Sequence, residues 1–531
     1  MNNTRYIFVT GGVASSLGKG IISASLARLL QARGYSVTIQ KLDPYINIDP
    51  GTLDPYEHGE CFITDDGAKA DLDLGHYERF LNISTSQANS VTTGRIYQSV
   101  IDRERRGGYN GMTVQVIPHI TDEIKNRIQI LGNTGKYDFV ITEIGGTVGD
   151  IESLPYIEAV RQLRWELHNE CVMIHLTLVP YLAAAGELKT KPTQHSVKML
   201  QEQGVQPDII VCRTSHHITQ GMRNKISLFC NVPPTGVVES MDAPTIYDVP
   251  FLMSEEGLDK EVLRKFHLPF DEEPDLTDWK YFLKCVKNPE KTVDIALVGK
   301  YVELKDAYKS IIEAFIHAGA ANNCGVKLKM IQSEHINKEN VAEKLKNVSA
   351  ILVAPGSGSR GVEGKIESIR YAREQKIPFF GVCLGMHCAV IEFARNVLGY
   401  ADADSIEFNP ETSRQVVNLM GKHEETMHLG AYPCRITPDS KVFEAYHADL
   451  IHERHHHRYG FNNDYREAFT RAGMKLSGIN EQENLVEIIE LENHPWFIAT
   501  QFQPQYKSTV VKPHPLFVRF VAEAIKQKER Q

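Results

Sequence analysis

The sequence predicts an α/β protein with two parallel-sheet domains. Apolar runs with the length of buried strands alternate with segments whose apolar residues recur at helical spacing. The alternation stops at an acidic stretch with two prolines, residues 268–279, and then resumes. Alternating strands and helices favour parallel sheets, and 531 residues exceed what one hydrophobic core usually serves. We predict domains at 1–268 and 292–531, joined by a linker at 269–291.

The predicted strands lie on both sides of this linker. They are residues 6–9, 37–41, 138–142, 174–178 and 208–212 in the first domain, and 293–298, 350–353 and 379–382 in the second. Within the linker, residues 279–286 are predicted to form a short amphipathic helix. Ligands of parallel sheets bind outside the carboxyl ends of the strands, so polar residues at those ends are the candidate site residues.

Composition excludes several classes of protein. The formal net charge of −9 argues against nucleic acid as a partner, because phosphate backbones require basic surface. No apolar run reaches the ~20 residues that cross a bilayer, and the N-terminus does not resemble a signal peptide. The 9 cysteines are scattered without a C-x-x-C pair, which indicates neither a zinc site nor a disulfide framework. We expect a cytoplasmic protein without a membrane partner.

A glycine-rich turn that carries a lysine follows the first predicted strand. Its backbone N–H groups and the following helix N-terminus can surround a polyphosphate, with Lys19 neutralising charge. The spacing is not that of a Walker A motif: Gly12 and Gly18 enclose five residues rather than four, and Gly20 stands where Ser or Thr is usual. We predict nucleotide binding; the alternative is an ordinary strand–turn–helix connection.

Further polar residues lie at the same predicted sheet edge. Lys41 and Glu143 end two strands, and Asp73 lies in a polar segment between them. Magnesium bound to ATP takes one or two carboxylates together with phosphate oxygens, which predicts Asp73 and Glu143 as its ligands. The alternative for each carboxylate is a solvated surface group or a helix cap. Residues 189–194 offer two cations and two hydroxyls to a second triphosphate, or form a solvated basic loop.

The first domain resembles the P-loop-like amidoligase domain of the CTP synthase family, through residues 9–21, 41–51, 71–80, 145–154 and 189–197. The resemblance implies that ATP phosphorylates O4 of UTP and that ammonia then displaces phosphate to give CTP. It implies ATP binding by Ser16, Leu17, Gly18, Lys19, Gly20, Ile21, Lys41 and Asp73, with Mg²⁺ on Asp73 and Glu143. For UTP, and for CTP as feedback inhibitor, it implies Ser15, Asp150, Ile151, Glu152, Lys189, Thr190, Lys191, Pro192, Thr193, Gln194 and Lys225. It places the gate of an ammonia channel at His58.

In the second domain, Cys383 lies between a predicted strand and a helix start. Glycines permit the sharp turn of a nucleophile elbow, and a helix N-terminus favours a thiolate. The domain resembles the class I glutamine amidotransferase domain of the same family. This implies a nucleophile at Cys383 and a glutamine pocket formed by Gly356, Leu384, Gly385, Met386, His387, Glu407 and Arg458. The histidine run 455–457 is either a metal site or a loop near that pocket, and the resemblance favours the loop.

Several residues depart from the family pattern at the glutaminase site. Gln503 and Gln505 stand where the family has its catalytic His and Glu, and an amide cannot accept the thiol proton. Loss of a triad member typically costs ~10⁴- to 10⁶-fold in rate. An ungapped match places Pro355, which lacks an N–H, at an oxyanion-loop glycine. His387 replaces a glutamine-binding Gln, and the stretch 407–430 is shorter than usual.

We therefore expect amination of UTP with free or externally supplied ammonia, and impaired glutamine hydrolysis. His387, one helical turn after Cys383, is the alternative base. Two other functions stay open: a paralogue with a related substrate or another amine donor, and a regulatory subunit of an active synthase. The resemblance implies a homotetramer and leaves open whether GTP still acts as an activator.

Overall fold

The computed structural model describes residues 4–420 and 427–530. The chain forms two compact units. The first contains the chain up to Gly51 together with Asp73–Thr277, and the second contains Thr52–Leu72 together with the chain from Asp278 onwards. Because the second unit includes this short early segment, neither unit is one continuous range, and the predicted domain boundaries stay a proposal.

Over the described residues, the strands are β1 (Arg5–Gly11), β2 (Val37–Asp43), β3 (Phe62–Ile63), β4 (Lys69–Ala70), β5 (Ser90–Thr92), β6 (Phe139–Ile144), β7 (Cys171–Leu178), β8 (Tyr181–Leu182), β9 (Glu187–Leu188), β10 (Ile209–Thr214), β11 (Val237–Met241), β12 (Lys291–Gly299), β13 (Cys324–Gln332), β14 (Ala350–Val353), β15 (Phe379–Val382), β16 (Ala403–Ser405), β17 (Arg414–Leu419), β18 (His428–Ile436), β19 (Leu450–His457), β20 (Tyr459–Phe461), β21 (Met474–Asn480), β22 (Leu485–Leu491) and β23 (Phe497–Thr500).

The helices are α1 (Lys19–Ala32), α2 (Pro55–His58), α3 (Asp73–Leu81), α4 (Thr93–Arg105), α5 (Thr121–Gly132), α6 (Leu154–Leu167), α7 (Lys191–Glu202), α8 (Gln220–Cys230), α9 (Val249–Glu255), α10 (Leu258–Lys265), α11 (Thr277–Lys287), α12 (Lys309–Ala321), α13 (Val341–Lys344), α14 (Val362–Glu374), α15 (Leu384–Asn396), α16 (Lys441–Tyr446), α17 (Arg466–Arg471) and α18 (Pro515–Arg530).

The first unit contains a fully parallel sheet with the strand order β11-β10-β7-β1-β6-β2-β5. The strands β1, β2 and β6 are buried along nearly their whole length. Burial of both faces of a strand is typical of parallel sheets, which helices cover on both sides. The α/β fold with parallel sheets is confirmed, and every predicted strand of this half overlaps an observed one.

The second unit contains a sheet of strand order β13-β12-β14-β15-β23-β22-β21-β18-β19. Its first five strands are parallel, as expected. From β23 onwards the neighbours are antiparallel, an extension that the sequence reasoning did not predict. Short connections between β21, β22 and β23 permit antiparallel pairing, whereas parallel pairing requires a crossover.

The linker region contains the predicted helix, now α11. Trp279 at its start is fully buried, so this part of the linker is more than an exposed connector. Among the described residues, no helix has the length and apolar character that crossing a membrane would require. No disulfide joins the nine cysteines, all of which lie in the described residues.

The segment Thr52–Leu72 is tied to the rest of the second unit by several polar contacts. The backbone N–H of Ser310 donates to Glu60 Oε1 at 2.8 Å. Arg454 Nε lies 2.6 Å from Asp65 Oδ1. The Tyr506 hydroxyl donates to the backbone carbonyl of Cys61 at 3.0 Å. Tyr506 follows β23, so this segment lies against the carboxyl end of the parallel part of the sheet.

Candidate functional site

The turn after β1 has the backbone that its glycines predict. Gly18 has a φ of 94°, a left-handed conformation that side-chain-bearing residues rarely adopt, and α1 begins at the next residue. Lys19 Nζ donates to the carbonyl of Gly146 at 2.7 Å. Burial lowers the pKa of Lys19, although the neighbouring Glu143 opposes this shift. The lysine is thus held over the turn by the loop that follows β6.

Sheet register brings the predicted metal and phosphate residues together. Glu143 on β6 is level with Val9 on β1 and with Lys41 on β2. The ammonium of Lys41 pairs with Asp73, the first residue of α3, and Tyr77 on the same helix donates its hydroxyl hydrogen to Glu143. These contacts form one buried, charged cluster at the carboxyl ends of the strands.

The position of Gly20 explains one departure from a Walker A motif. A methyl group at Gly20 would lie 2.6 Å from Asp73 Oδ1 and 3.4 Å from Glu143 Oε2, so a Ser or Thr there would require the Asp73 carboxylate to move. Burial, with the charge of Asp73 in addition, raises the pKa of Glu143 to about 7. Two carboxylate oxygens that face one small opening beside lysines fit a Mg²⁺–phosphate site.

A buried histidine connects this turn to the basic loop. His175 Nδ1 lies 2.9 Å from Thr10 Oγ1 on β1, and its Nε2 lies 2.7 Å from Ser196 Oγ on α7. Burial lowers the pKa of His175 to about 3, so the ring is neutral. A methyl group at Gly12 would lie 1.8 Å from Ser196 Oγ. The glycine turn and the middle of α7 are therefore closely packed.

Several of the residues predicted to bind UTP lie close to α7. Lys189 and Lys225 both lower the pKa of the Glu187 carboxyl, with the hydrogen bond from Lys189 as the larger cause. Gln194 Nε2 donates to Thr190 Oγ1 at 3.1 Å. A methyl group at Gly149 would lie 2.3 Å from the sulfur of Met199 on α7, which places the adjacent residues 150–152 beside this helix. Ser15 is exposed in the β1–α1 turn.

In the second unit, Cys383 has the geometry of a nucleophile elbow. It joins β15 to α15 with φ 53° and ψ −104°, a strained conformation for a residue with a side chain. A methyl group at Gly385 would lie 2.4 Å from the carbonyl oxygen of Val353. Burial, with the charge of Glu407 in addition, raises the pKa of the Cys383 thiol to about 12. This thiol therefore stays protonated at neutral pH.

Gln503 and Gln505 form a buried hydrogen-bonded pair. Gln505 Nε2 donates to Gln503 Oε1 at 2.8 Å, and both side chains are almost fully buried. The backbone N–H of Cys383 donates to the carbonyl oxygen of Thr500, the last residue of β23, at 2.7 Å. Gln503 follows Thr500 by three residues. Neither the carbonyl oxygen nor the NH2 group of the Gln503 amide is basic enough to take a proton from a thiol.

We expect Cys383 to react slowly with iodoacetamide, because alkylation requires the thiolate and the pKa is raised. Its rate should be well below that of the half-buried Cys61 at pH 8, and it should increase as pH rises towards 12. Peptide mass spectrometry over a time course measures both rates in one sample. Preferential modification of Cys383 at pH 7 would show that a base activates it.

The loop after β14 contacts the residues of the predicted glutamine pocket. The N–H of Gly358 donates to Glu407 Oε1 at 2.6 Å, and Lys300 Nζ donates to the carbonyl of Gly358 at 3.2 Å. A methyl group at Gly356 would lie 3.0 Å from Cε of Lys300 and 3.5 Å from Leu384 Cδ2. Glu407 thus binds the loop itself, although the resemblance assigns it to substrate glutamine.

The hydrogen-bond partner that the structure gives for the His387 side chain is Gln501, not the thiol of Cys383. Nε2 of His387 lies 3.0 Å from Gln501 Oε1, whereas the thiol of Cys383 lies 3.8 Å from the carbonyl oxygen of His456. Arg458 is exposed just after β19, and His58 is exposed at the end of α2. The histidine run ends strand β19, so the predicted loop at 455–457 is wrong.

Some expectations about this pocket stay untested. Pro355 lies two residues beyond the end of β14, and its place in the family pattern stays a prediction. Residues 421–426 of the stretch that was expected to be short lie outside the described residues. Sequence reasoning missed Lys300 and Tyr77. Lys300 follows a strand that ends in glycine, a signal comparable to that of Lys41, whereas nothing local marks Tyr77 as a partner of Glu143.

Comparison with known proteins gives matches to both halves. Residues 5–268 match a family model described as CTP synthase N-terminus, and residues 303–523 match glutamine amidotransferase class-I. The chain is 64% identical to a CTP synthase of Flavobacterium johnsoniae, over 99% of each chain. It is 56% identical to one from Porphyromonas gingivalis, over 100% of this chain and 99% of the other. A solved glutaminase domain of Trypanosoma brucei CTPS with bound acivicin is 36% identical, with a TM-score of 0.43, and covers 44% of this chain and 94% of its own.

Proposed function

The chain belongs to the CTP synthase family, a family of C–N ligases that convert UTP to CTP with ATP, and we propose that this member takes its nitrogen from free or externally supplied ammonia. The observation that carries the proposal is the buried Gln505–Gln503 pair, which lies three residues beyond Thr500, the acceptor of the Cys383 backbone N–H. Release of ammonia from glutamine requires a group that takes the thiol proton and later protonates the leaving nitrogen. Gln503 can do neither.

We propose that the first unit performs the ligase chemistry. Lys19 and Lys41 would neutralise the transferred phosphoryl group as it passes from ATP to O4 of UTP, giving ADP and 4-phospho-UTP. Ammonia would then add at C4 and expel phosphate, which yields CTP. Asp73 and Glu143 would hold Mg²⁺, which neutralises phosphate charge when bound. Phosphoryl transfer depends mainly on position and charge, so these residues suffice.

The other predicted ligands and partners are part of the same proposal. The loop 189–194 with Lys225 would bind the triphosphate of UTP, and of CTP as inhibitor. His58 in the segment tied to the second unit would border the path of ammonia. A homotetramer is consistent with large exposed apolar side chains on the first unit, such as Ile46 at 76% and Ile151 at 80% exposure. The proposed reaction with ammonia includes no GTP-dependent step.

The direct test is steady-state CTP formation by the full-length protein with ATP, Mg²⁺ and UTP. We expect robust turnover with ammonium chloride and a near-background rate with glutamine at the same pH. A glutamine-dependent rate comparable to the ammonium-dependent rate would contradict the ammonia proposal. If no CTP forms with either ammonium or glutamine, the result would instead favour a regulatory subunit or another acceptor.

Cys383→Ala should leave the ammonium-dependent rate within about twofold of the unmodified protein, since the thiol takes no part in phosphorylating UTP. It should also leave the glutamine-dependent rate at background. Both rates are measured by CTP absorbance, and Cys383→Ser serves as the matched variant of closer size. Loss of a substantial glutamine rate on either substitution would show that Cys383 is an active nucleophile.

A further inference from the structure

We propose that His455, His457 and Glu487 form a binding site for one divalent transition-metal ion of the zinc type. The two histidines end the edge strand β19, and Glu487 lies in the middle of β22. Neither CTP synthesis nor glutamine hydrolysis, as described above, uses these three side chains. All three are at most 6% exposed.

The geometry of the three side chains is that of a metal-ligand set. One ligand atom from each residue lies within 4.8 Å of the other two. His455 Nδ1 lies 2.8 Å from His457 Nε2 and 3.7 Å from Glu487 Oε2. Two imidazoles and one carboxylate make a ligand set typical of zinc with a further coordination position. Oxygen-preferring ions such as Mg²⁺ would not select two imidazoles.

The tautomer of His457 is fixed by the backbone. Its Nδ1 lies 3.0 Å from the carbonyl oxygen of Tyr459, which can only accept a hydrogen bond, so Nδ1 carries the hydrogen. The lone pair of Nε2 is therefore directed towards the other two side chains. A metal-binding histidine commonly has this arrangement, in which its second nitrogen donates to a backbone carbonyl.

Hydrogen bonding alone does not satisfy the cluster. If His455 Nδ1 donates to His457 Nε2, the other ring nitrogen of His455 and Oε2 of Glu487 still lack partners. Both atoms are fully buried and have no hydrogen-bond partner among the described residues. An unpaired buried polar atom is costly, by about 1–3 kcal/mol. A cation between the imidazoles and the carboxylate would give Oε2 a partner.

The site would connect strands that are not neighbours in the sheet. In the strand order, β21 and β18 lie between β22 and β19. A shared ion would thus hold the edge strand β19 across the curved sheet. The carbonyl of His456 on this strand faces the Cys383 thiol at 3.8 Å, so the ion would also fix one wall of the thiol site.

The test is zinc binding by the full-length protein after dialysis against a chelator. We expect about one zinc ion per chain, measured by competition with a chromophoric zinc chelator and by elemental analysis. Cobalt should give the visible absorption of a four- or five-coordinate nitrogen–oxygen site. The double variant His455→Ala with His457→Ala should lose this ion. The control His456→Ala, on the opposite face of the same strand, should keep it.

Glu487→Gln keeps the size of the side chain and should weaken zinc binding by at least about tenfold while the fold is retained, as checked by circular dichroism. An unmodified, folded protein that binds less than a tenth of an equivalent at micromolar zinc would overturn the proposal. So would stoichiometric zinc that persists in both the double variant and Glu487→Gln, because the ion would then belong to other histidines.

Discussion

Lys19→Ala is expected to abolish CTP formation from UTP, ATP and ammonium, with a loss on the order of 10³-fold or more. Lys19 is the lysine of the glycine turn, held over it by the carbonyl of Gly146 at 2.7 Å. In the proposed function, its removal would leave phosphate charge uncompensated where the transfer occurs. The measurement is the steady-state rate at saturating ATP and ammonium, together with ATP binding by calorimetry.

Two controls separate this effect from a loss of fold. Lys136→Ala removes an exposed lysine elsewhere in the first unit and should leave the rate unchanged. Lys19→Arg keeps the charge but not the shape, and should retain more activity than Lys19→Ala. Normal turnover by Lys19→Ala would mean that this turn does not bind the transferred phosphate.

The double variant Gln503→His with Gln505→Glu should gain only weak glutamine-dependent activity. It returns a general base and the carboxylate that orients it, where the present amide pair supplies no proton acceptor. Pro355 would still lack the N–H that the resemblance expects at its position, and the N–H of Gly358 would still donate to Glu407 at 2.6 Å. An unavailable oxyanion donor costs on the order of 10²- to 10³-fold.

Further substitutions in this double variant test the roles of the loop and of the Cys383 thiol. Addition of Pro355→Gly, with the flanking loop changed to the family pattern, should give a further large gain in the glutamine-dependent rate. Cys383→Ala in the restored variant should remove the whole gain, because the thiol is the nucleophile there. Full glutamine-dependent synthesis by the double variant alone would show that the loop is already competent and that the placement of Pro355 is wrong.

The sequence predicted much of the first unit, because its signals are local. The strand, the glycines and the lysine of the turn after β1 are all recognisable without any long-range information. The same reasoning could not explain Gly20, since the Asp73 carboxylate that crowds this position lies far away in sequence. Register between parallel strands brings Lys41 and Glu143 together, and register is not visible in either strand alone.

The second unit was less predictable, for a comparable reason. The elbow at Cys383 and the identities of Gln503 and Gln505 were visible in the sequence. The contact between Glu407 and the loop at Gly358 was not visible, because it depends on tertiary packing. Residues 455–457 were assigned to a loop on the family resemblance, although they end strand β19 and His455 and His457 are buried. The membership of Thr52–Leu72 in this unit likewise depends on distant partners such as Arg454.

In the proposed function, the ligase chemistry operates while the thiol site supplies no ammonia. The most direct measurement offers the unmodified protein [amide-¹⁵N]glutamine and unlabelled ammonium at equal concentration, with ATP, Mg²⁺ and UTP, and determines the isotope in the CTP by mass spectrometry. We predict CTP that carries almost only ¹⁴N at its amino group, with no release of glutamate above a protein-free control. Substantial ¹⁵N in the product, lost when Cys383→Ala is tested, would contradict the account.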